Sequence, residues 1–358
     1  MNRHHYALIL AGGRGTRFWP LSRKRSAKQV LNVIGERTLI QATVDRLAPV
    51  IPPERMWVLT NHHLRDVIVR QLPEIPKRQI LAEPVQRNTA PAIGLAAQIL
   101  NSLDPQAVMG VFPSDHVVSK DAVYRAVVRA ALKGAAAGNL MVVGIQPRWA
   151  ETGYGYVEFP PGARAGTGDP LEVLRFHEKP RLPKARRYVA AGNFFWNSGM
   201  FFWRTGVLLE QLRRHLPKTA TILAALPPFG SRRFAGHLAS AFPLCDNISI
   251  DFAVMEKADR VAGIAAGDFG WNDVGSWNAV YELMRRDACG NVAANDSICL
   301  EAHDNFVDAR GKLVALLGVK DLIVVDTPDA LLVTTRDRAQ QVGDIVKALE
   351  KNNRHDLL

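Results

Sequence analysis

The stretch LILAGGRGTR, residues 8–17, decides the fold of the first half of the chain. Its apolar start predicts a buried strand, and this strand runs directly into a loop with three glycines and two arginines. Glycine allows backbone N–H groups to wrap around an anion, and arginine supplies charge and paired donors for phosphate oxygens. We interpret the stretch as a phosphate-binding loop, with a plain strand-to-helix turn as the alternative.

Spacing excludes two common phosphate-binding motifs. No Gly-Lys-Ser/Thr follows the loop, so it is not a P-loop. Counted from Gly13, the third glycine position of a dinucleotide-binding motif is Phe18, so a nicotinamide oxidoreductase is a poor interpretation. Residues 14–28 carry several basic side chains and no acid. Such a run is commonly a solvated surface, but beside a glycine loop it favours an anionic ligand.

Apolar segments alternate with helical patterns through the first half of the chain. The predicted strands are 6–11, 56–60, 79–82, 108–112 and 140–145. The predicted helices are 38–47, 62–71, 89–100 and 122–137. Strands that are apolar throughout and separated by helices are typical of an α/β fold with a mostly parallel sheet covered on both faces. Ligands of such sheets bind beyond the carboxyl ends of the strands, where the glycine loop lies.

The pattern changes after about Gly290. Before this point, short strands (155–159 and 173–176) mix with helices (183–191, 206–215 and 250–257). After it, short apolar runs are separated by Asp, Gly and Pro turns, and a helix is predicted over 336–350. We therefore predict two domains, residues 1–288 and a small β-rich domain over residues 289–358.

Two aspartates are candidate metal ligands. Asp115 follows a predicted strand at the ligand end of the sheet, and Asp273 stands in WNDVGSW (271–277). Mg²⁺ typically takes one or two carboxylates together with phosphate oxygens and water. On sequence alone, capping of a helix explains either aspartate equally well. His116 suggests zinc, but no second His or Cys stands at ligand spacing, so we do not predict a zinc site.

Segments in the middle of the chain carry the residue types that bind a sugar. They are ETGYGY (151–156), FHEKP (176–180) and WNSGM (196–200). Glu178 and Asn197 supply hydrogen-bonding groups for hydroxyls, and flat apolar surfaces are offered by Tyr154, Tyr156 and Trp196. A Gly/aromatic turn and a capped helix explain the same segments without a ligand.

Composition limits the classes of partner. The formal net charge is +11 and the sequence pI is near 9.8, which favours anionic partners such as nucleotides, nucleic acid or a membrane surface. However, aromatic and basic residues do not interleave as in strand-binding proteins, and the first apolar run is too short for a signal peptide or a membrane span. The three cysteines lack metal-ligand spacing and fit a reducing compartment. We expect a soluble, cytoplasmic protein that binds neither nucleic acid nor membrane.

Taken in order, the segments of this chain resemble the bacterial mannose-1-phosphate guanylyltransferase family. The matching segments are AGGRGTRFWPLSR (11–23), Lys28-Gln29, EPVQRNTAPAI (83–93), FPSDH (112–116), ETGYGY (151–156), HEKP (177–180), WNSGM (196–200), SIDFAVMEK (249–257), WNDVGSW (271–277) and GVKDLIVVDTPDALLV (318–333). The GGxGTR loop is general to sugar nucleotidyltransferases. FWPLSR, RNTAPA, WNSGM and SIDFAVMEK are more specific to the mannose enzymes, and the resemblance covers nearly the whole chain.

The resemblance implies a Rossmann-like nucleotidyltransferase domain with a small C-terminal β-helix-like domain, Mg²⁺ dependence and a homodimer. It implies that GTP and mannose 1-phosphate are converted to GDP-mannose and pyrophosphate. The implied catalytic residues are Arg17, Lys28 and Asp115, and the implied metal ligands are Asp115 and Asp273. The implied nucleotide-binding residues are Ala11, Gly12, Gly13, Arg14, Gly15, Thr16, Glu83, Asn88, Thr89 and Ser114. The implied sugar-phosphate-binding residues are Gly153, Glu178, Lys179 and Asn197.

Two departures from the family pattern stand out. Ala27 precedes Lys28 where the family usually has proline, which loosens the loop slightly but keeps the charge. The chain also ends at Leu358, whereas longer relatives continue into a mannose phosphate isomerase domain, so we expect no isomerase activity.

Other functions stay open on the sequence alone. Another sugar 1-phosphate or another nucleotide fits the same chemistry, because the configuration of one hydroxyl is decided by a few atoms. A non-catalytic regulatory paralogue would be expected to lose the metal carboxylates or the loop lysine, and Asp115, Asp273 and Lys28 are all present. The nucleophile is a phosphate oxygen that is already anionic. No Ser or Cys nucleophile is therefore needed, and catalysis is expected from positioning and charge stabilisation.

Overall fold

The computed structural model describes residues 2–293, 296–309 and 311–358, and within them ten strands form one central sheet. These strands are β1 His5–Ala11, β2 Met56–Asn61, β3 Ile80–Glu83, β4 Val108–Pro113, β5 Leu140–Ile145, β6 Tyr156–Glu158, β7 Pro170–Glu172, β8 Arg175–His177, β9 Phe194–Arg204 and β10 Val261–Ala266. The sheet order is β3-β2-β1-β4-β9-β5-β10-β7, with β6 and β8 attached through β9. Strands β1 to β4 pair in parallel, as do β5 and β10. The prediction of a mostly parallel α/β sheet is confirmed.

Helices cover both faces of this sheet. They are α1 Leu39–Leu47, α2 His62–Gln71, α3 Thr89–Leu103, α4 Asp121–Ala136, α5 Leu182–Ala191, α6 Thr205–His215, α7 Pro217–Ala224, α8 Phe234–Ala241, α9 Trp277–Leu283 and α10 Val342–Lys351. The β1 side chains Ala7 and Ile9 pack into one core with α1, α2, α4 and α5, while Leu8 packs into the other with α3, α6 and α7. The strand is apolar from Ala7 onward because both of its faces are buried there. No helix in the described part of the chain is long and apolar enough to cross a membrane.

Strand β9, which the sequence pattern did not predict, runs antiparallel between β4 and β5. Its apolar character is interrupted at Asn197, Ser198 and Gly199, and Gly199 adopts φ +70°. The register with β5 shifts at this point, and the Ser198 hydroxyl donates to the carbonyl of Val143 at 2.7 Å. The interruption hides the strand from a pattern search and carries Asn197 toward the ligand end of the sheet.

Helix bounds in the second half also differ from the prediction. The helix predicted over 250–257 is a short π-helical turn, Asp251–Met255. The helix predicted over 336–350 divides into a 3₁₀ turn, Arg336–Gln341, followed by α10. The turn Asp251–Met255 packs against α6, and the turn Arg336–Gln341 packs against α9. Such tertiary contacts are not visible in the local sequence pattern.

The C-terminal domain is built from short strands that stack in parallel. They are β11 Val292–Ala293, β12 Ser297–Leu300, β13 Phe306–Asp308, β14 Val314–Leu317, β15 Leu322–Thr327 and β16 Ala330–Thr335. β11, β13 and β15 pair in parallel, β12 pairs in parallel with β14, and β16 returns antiparallel along β15. The buried Asn305 amide donates to Asn291 Oδ1 at 2.9 Å and so links successive turns. This is the β-helix-like arrangement that the sequence resemblance implied.

The C-terminal domain packs directly on the segment that follows the glycine loop. Phe18 and Trp19 share a buried cluster with Trp277, Phe306 and Val342. The indole of Trp19 donates to the carbonyl of Leu357 at 3.1 Å. The end of the chain therefore stabilises the loop predicted to bind phosphate.

Candidate active site

The loop after β1 turns tightly over the segment that carries Lys28. Gln29 Nε2 donates to the carbonyls of Ala11 and Gly13, at 2.8 and 3.0 Å. Gly15 has φ +58°, and a Cβ at this position would lie 2.7 Å from Lys28 Cβ. Only glycine fits such a conformation and such a close approach. The sequence thus brings the loop and the lysine together.

Lys28 connects the two aspartates predicted to bind metal. Its ammonium group lies 3.0 Å from Asp115 Oδ2 and donates to the carbonyl of Asp273 at 2.7 Å. The side chain is almost fully buried, and the Phe18 ring centroid lies 5.4 Å from Nζ. Burial disfavours the Asp115 carboxylate, but the charge of Lys28, together with His116 and the hydrogen bonds to the carboxylate, outweighs it and lowers the pKa of Asp115 overall. Asp115 is therefore an anion held in place by Lys28.

Asp273 is positioned by a short bridge and by a tyrosine. Val117 and Asn272 exchange two backbone hydrogen bonds, at 2.8 and 3.0 Å, which ties the Asp115 loop to the Asp273 loop. The Tyr154 hydroxyl donates to Asp273 Oδ1. Burial and the Asp273 carboxylate raise the pKa of Tyr154 well above its usual range, so the phenol stays protonated as a donor. No local pattern indicated this contact, which spans 119 positions of the chain.

Neither aspartate caps a helix. The residues at the start of α4 and α9 are Lys120 and Ser276, not Asp115 or Asp273. The capping interpretation is therefore wrong for both, and each carboxylate is held instead by one side chain, Asp115 by Lys28 and Asp273 by Tyr154.

Both carboxylates line one cavity of about 310 Å³, together with Lys28, Arg17 and His116. Two carboxylates beside a glycine loop fit Mg²⁺, which usually takes one or two carboxylates together with phosphate oxygens and water. No group of three or more His, Cys, Asp or Glu side chains suited to a metal occurs in the described ranges. The imidazole of His116 accepts a hydrogen bond from the Trp271 indole at 3.1 Å.

A second cavity, of about 530 Å³, is lined by five of the ten predicted nucleotide-binding residues. It is lined by Leu10, Gly12, Gly13, Leu59, Glu83, Gln86, Asn88, Thr89, Ala92 and Asn247. The buried Glu83 Oε1 has no hydrogen-bond partner among the residues that the structure describes. Burial raises the pKa of Glu83 to about 8. A ligand that donates hydrogen bonds to this acid would offset the cost of its burial.

Thr89 and Ser114 use their polar groups mainly within the protein. The Thr89 hydroxyl accepts from the backbone N–H of Ile250 at 2.9 Å. Ser114 is buried, and its backbone N–H donates to the carbonyl of Leu10 at 3.2 Å. Thr89 thus binds the backbone of Ile250, and Ser114 binds the backbone at the end of β1.

The two loop arginines differ in their surroundings. Arg14 forms a half-exposed ion pair with Glu350 of α10 at 2.5 Å. Arg17 lines both the cavity that holds the two aspartates and a larger neighbouring cavity of about 510 Å³. Arg14 is therefore shared with the C-terminal domain, whereas Arg17 faces the aspartates.

Glu178 and Asn197 lie together on one face of the sheet. Asn197 N donates to the carbonyl of Gly155 at 2.8 Å, and a Cβ on Gly155 would collide with Glu178 Oε2. Lys179 Nζ lies 2.6 Å from Glu178 Oε1. The Asn197 amide also donates to Asp251 Oδ1 at 2.8 Å. We call Gly155, Glu178, Asn197 and Asp251 the carboxylate cluster.

Other residues predicted to contact a sugar are buried or line a different cavity. Gly153 donates to Glu151 Oε1 and lines the 510 Å³ cavity. Tyr156 and Trp196 are fully buried. Trp196 precedes Asn197 on one strand, so the two side chains point to opposite faces of the sheet. Gly155, and not Gly153, is the glycine beside Glu178 and Asn197.

Sequence reasoning missed Asp251 and Asn247. Both stand in or beside the segment SIDFAVMEK, but the helical interpretation of 250–257 gave Asp251 no role. An acid within an otherwise apolar run was the available signal. Asn247, in the preceding loop, carried none.

Family models match nearly the whole chain. Residues 6–289 match the family described as nucleotidyl transferase, and residues 295–349 match the MannoseP isomerase/GMP-like β-helix domain. Together with the glycine loop and the aspartate pair, these matches define a sugar nucleotidyltransferase with a C-terminal β-helix domain.

Individual relatives narrow the class. A mannose-1-phosphate guanylyltransferase from Escherichia coli (strain K12) is 40% identical over 98% of this chain and 74% of its own length. One from Klebsiella pneumoniae is 37% identical over 98% and 74%. A crystal structure described as mannose-1-phosphate geranyltransferase from Thermus thermophilus has a TM-score of 0.85 and 35% identity, covering 97% of this chain and 99% of that one. The chain belongs to the mannose-1-phosphate guanylyltransferase family.

Proposed function

We propose that the chain acts in the cytoplasm, where it transfers GMP from GTP to mannose 1-phosphate and releases pyrophosphate. The contact of Lys28 with Asp115 and with the Asp273 backbone carries this proposal. It brings two carboxylates and a cation to one cavity beside a glycine loop, which is the arrangement that transfer between polyanions requires. The family membership of the chain supports the choice of GTP and mannose 1-phosphate.

In the proposed reaction, a phosphate oxygen of mannose 1-phosphate attacks the α-phosphorus of GTP in line. The bond from the α-phosphorus to the bridging oxygen breaks, and the electron pair leaves with pyrophosphate. Two unit charges 4 Å apart repel by about 4 kcal/mol at an effective dielectric of 20. Lys28 and Arg17 reduce this repulsion at the cavity that they line. Bound Mg²⁺, held by Asp115 and Asp273, would supply further positive charge to the phosphate oxygens.

Glu83 is suited to select guanine. The guanine base presents an N1–H and an N2 amino group side by side, and a carboxylate accepts from both. Adenine offers no N1–H, so it would leave one buried oxygen of Glu83 without a donor. Gly12 and Gly13 line the same cavity and leave room for a base and ribose.

The remaining assignments follow from the same layout. We assign the glycine loop to the triphosphate, the carboxylate cluster to the sugar hydroxyls and Lys179 to the sugar phosphate. We also propose that residues 1–288 form the catalytic domain and that residues 289–358 form a supporting domain that packs on the glycine loop.

The test is pyrophosphate release by the purified full chain with Mg²⁺. GTP, ATP, UTP and dTTP are each combined with mannose, glucose and other sugar 1-phosphates. We expect the highest kcat/KM with GTP and mannose 1-phosphate, and no release when EDTA removes divalent metal. A different best pair would retain the fold and the metal assignment but refute the substrates. No release with any pair would favour a regulatory paralogue.

We also propose that two copies pair through the C-terminal domain. β12 and β14 lie side by side and expose Ile298, Leu300 and Leu317 on one face, with Leu317 72% exposed. Exposed apolar faces of this kind mark contact sites, and a twofold axis sets identical faces against each other.

Light scattering on the purified chain tests the dimer. We expect twice the chain mass of 39.5 kDa for the wild type and the single mass for a Leu300→Lys/Leu317→Lys variant. Leu103→Lys, an equally exposed leucine on α3, is the matched control and should stay dimeric. If the wild type has the mass of one chain at micromolar concentration, the dimer is ruled out.

A further inference from the structure

Asp251 fixes the orientation of a side chain predicted to meet the sugar. Its Oδ1 accepts from the Asn197 amide nitrogen at 2.8 Å, while the Asn197 amide oxygen accepts from Gly199 N at 3.0 Å. With both ends of the amide engaged, Asn197 cannot turn over without losing a hydrogen bond. One N–H of the Asn197 amide is still available to a ligand. The pairing with Asp251 thus decides which way Asn197 presents a donor.

The carboxylate cluster also holds more acceptors than donors. Glu178 Oε2 is buried and has no hydrogen-bond partner within the described ranges. Burial and the nearby Glu178 carboxylate raise the pKa of Asp251 to about 6, which indicates that the two acids are close enough to repel each other. A buried acceptor without a donor costs about 1–3 kcal/mol. A ligand with several hydroxyl donors relieves this cost, and a pyranose is such a ligand.

One short segment links the carboxylate cluster to the nucleotide cavity. Ala90 N donates to the carbonyl of Ile248 at 3.1 Å, and Ile250 N donates to the Thr89 hydroxyl at 2.9 Å. Asn247, in the same segment, lines the nucleotide cavity. The N-terminus of α3 thereby holds segment 247–251 in place, and Asp251 stands at its sugar-side end.

We propose that Asp251 is a positioning residue that sets sugar specificity by orienting Asn197 against the hydroxyls of the sugar 1-phosphate. This inference rests on the proposed function. One sugar hydroxyl accepts from the Asn197 amide and donates to Glu178 Oε2. Both groups therefore select a hydroxyl of one configuration on the ring. An epimer that carries the hydroxyl on the other side leaves Glu178 Oε2 without its donor.

The experiment measures KM for both substrates in Asp251→Asn, which keeps the size of the side chain. We expect KM for mannose 1-phosphate to rise about fivefold or more, because the amide of the variant accepts from Asn197 only as a neutral group, and a charged acceptor is stronger by about 1 kcal/mol. KM for GTP and kcat should stay within about threefold, and the preference over glucose 1-phosphate should shrink. Asp246→Asn is the matched control, since that acid accepts from Thr219 outside the carboxylate cluster. It should leave both KM values unchanged.

A double-substitution cycle separates positioning from a general loss of structure. Asn197→Ala should raise KM for mannose 1-phosphate alone, and the Asp251→Asn/Asn197→Ala pair should raise it no further than the larger single effect. Additive effects, or equal rises in both KM values, would overturn the proposal. If Asp251→Asn does not fold, Asp251→Ser is measured in its place.

Binding measured by calorimetry distinguishes a failure of this inference from a failure of the proposed function. If the wild type turns over no pair of substrates, the proposed function fails, and each sugar 1-phosphate is then titrated directly into the wild type and Asp251→Asn. Tighter binding of any one of them to the wild type than to the variant still supports a sugar-positioning Asp251. Equal binding, or no binding to either protein, refutes it.

Discussion

Replacing Lys28 with methionine lowers the expected kcat by about a hundredfold to a thousandfold, because removing one preorganised donor to developing negative charge typically costs about 10²–10³ in rate. The substitution keeps an unbranched side chain against the Phe18 ring but removes the ammonium group. Asp115 then loses its partner at 3.0 Å, and the Asp273 carbonyl loses its donor at 2.7 Å. The charge that faces the phosphates and the anchor of both aspartates disappear together.

Stability should change much less than activity in Lys28→Met. Removing one partner of a fully buried ion pair is strongly destabilising, because it leaves an uncompensated charge. The Asp115 side chain, however, is 36% exposed, so water solvates it when Lys28 is absent. Steady-state kinetics and thermal unfolding are measured on the same preparation. Arg25→Met, an exposed position in the same basic segment, is the control and should retain full activity. Unchanged turnover in Lys28→Met would refute the catalytic role proposed for Lys28.

The fold was predictable at several strands whose burial on both faces left a mark on the sequence, although the buried apolar strand β10 was not predicted. β1, β2 and β4 are continuous apolar runs bounded by turns, and their predicted bounds differ from the structure by one residue or less. β9 escaped because Asn197, Ser198 and Gly199 break its pattern. The polar break that hides the strand is also the part that contributes to the carboxylate cluster. Local sequence patterns therefore predict strands least well where a strand contributes polar residues to a binding site.

The site was predictable by residue type but not by contact. Asp115 and Asp273 were candidate ligands from their positions after strands and in a motif, yet a helix cap explained them equally well. The backbone bridge between Val117 and Asn272 and the contacts of Lys28 bring them side by side, and no local pattern shows either. Asp251 stood out only as an acid within an apolar run, and its role was not predictable because it depends on a hydrogen bond to a residue 54 positions away. Contacts of this length are products of topology and leave no periodic signal.

Glu83→Gln should weaken GTP binding by about 100-fold, measured as KM or by calorimetry. The wild-type carboxylate accepts from two donors of guanine, whereas glutamine offers one neutral oxygen and sets an N–H against the base. Loss of one charge-assisted hydrogen bond and repulsion at the other account for this magnitude. KM for mannose 1-phosphate should change little, since Glu83 lines the nucleotide cavity and lies outside the carboxylate cluster.

The same substitution should stabilise the protein without ligand at alkaline pH. The pKa of Glu83 is raised from 4.5 to about 8 in the folded protein. Below pH 4.5 the acid is protonated in both states and contributes nothing. As the pH rises toward 8, the unfolded chain loses the proton more readily than the folded chain, so the wild type loses stability relative to Glu83→Gln. The difference should reach its full size, on the order of a few kcal/mol, above pH 8.

Binding and stability should therefore move in opposite directions, because the buried acid is costly until guanine arrives. GTP must bind the ionised form, so wild-type affinity should rise between pH 6.5 and 8.5 relative to that of Glu83→Gln, in which position 83 does not titrate. Thermal unfolding and calorimetry across this range measure both effects, with Glu54→Gln as the exposed control. Equal losses of stability and GTP affinity in Glu83→Gln would mean that Glu83 is a structural acid. Lower GTP affinity together with higher stability of Glu83→Gln at pH 8.5 would indicate that Glu83 binds guanine and does not stabilise the fold.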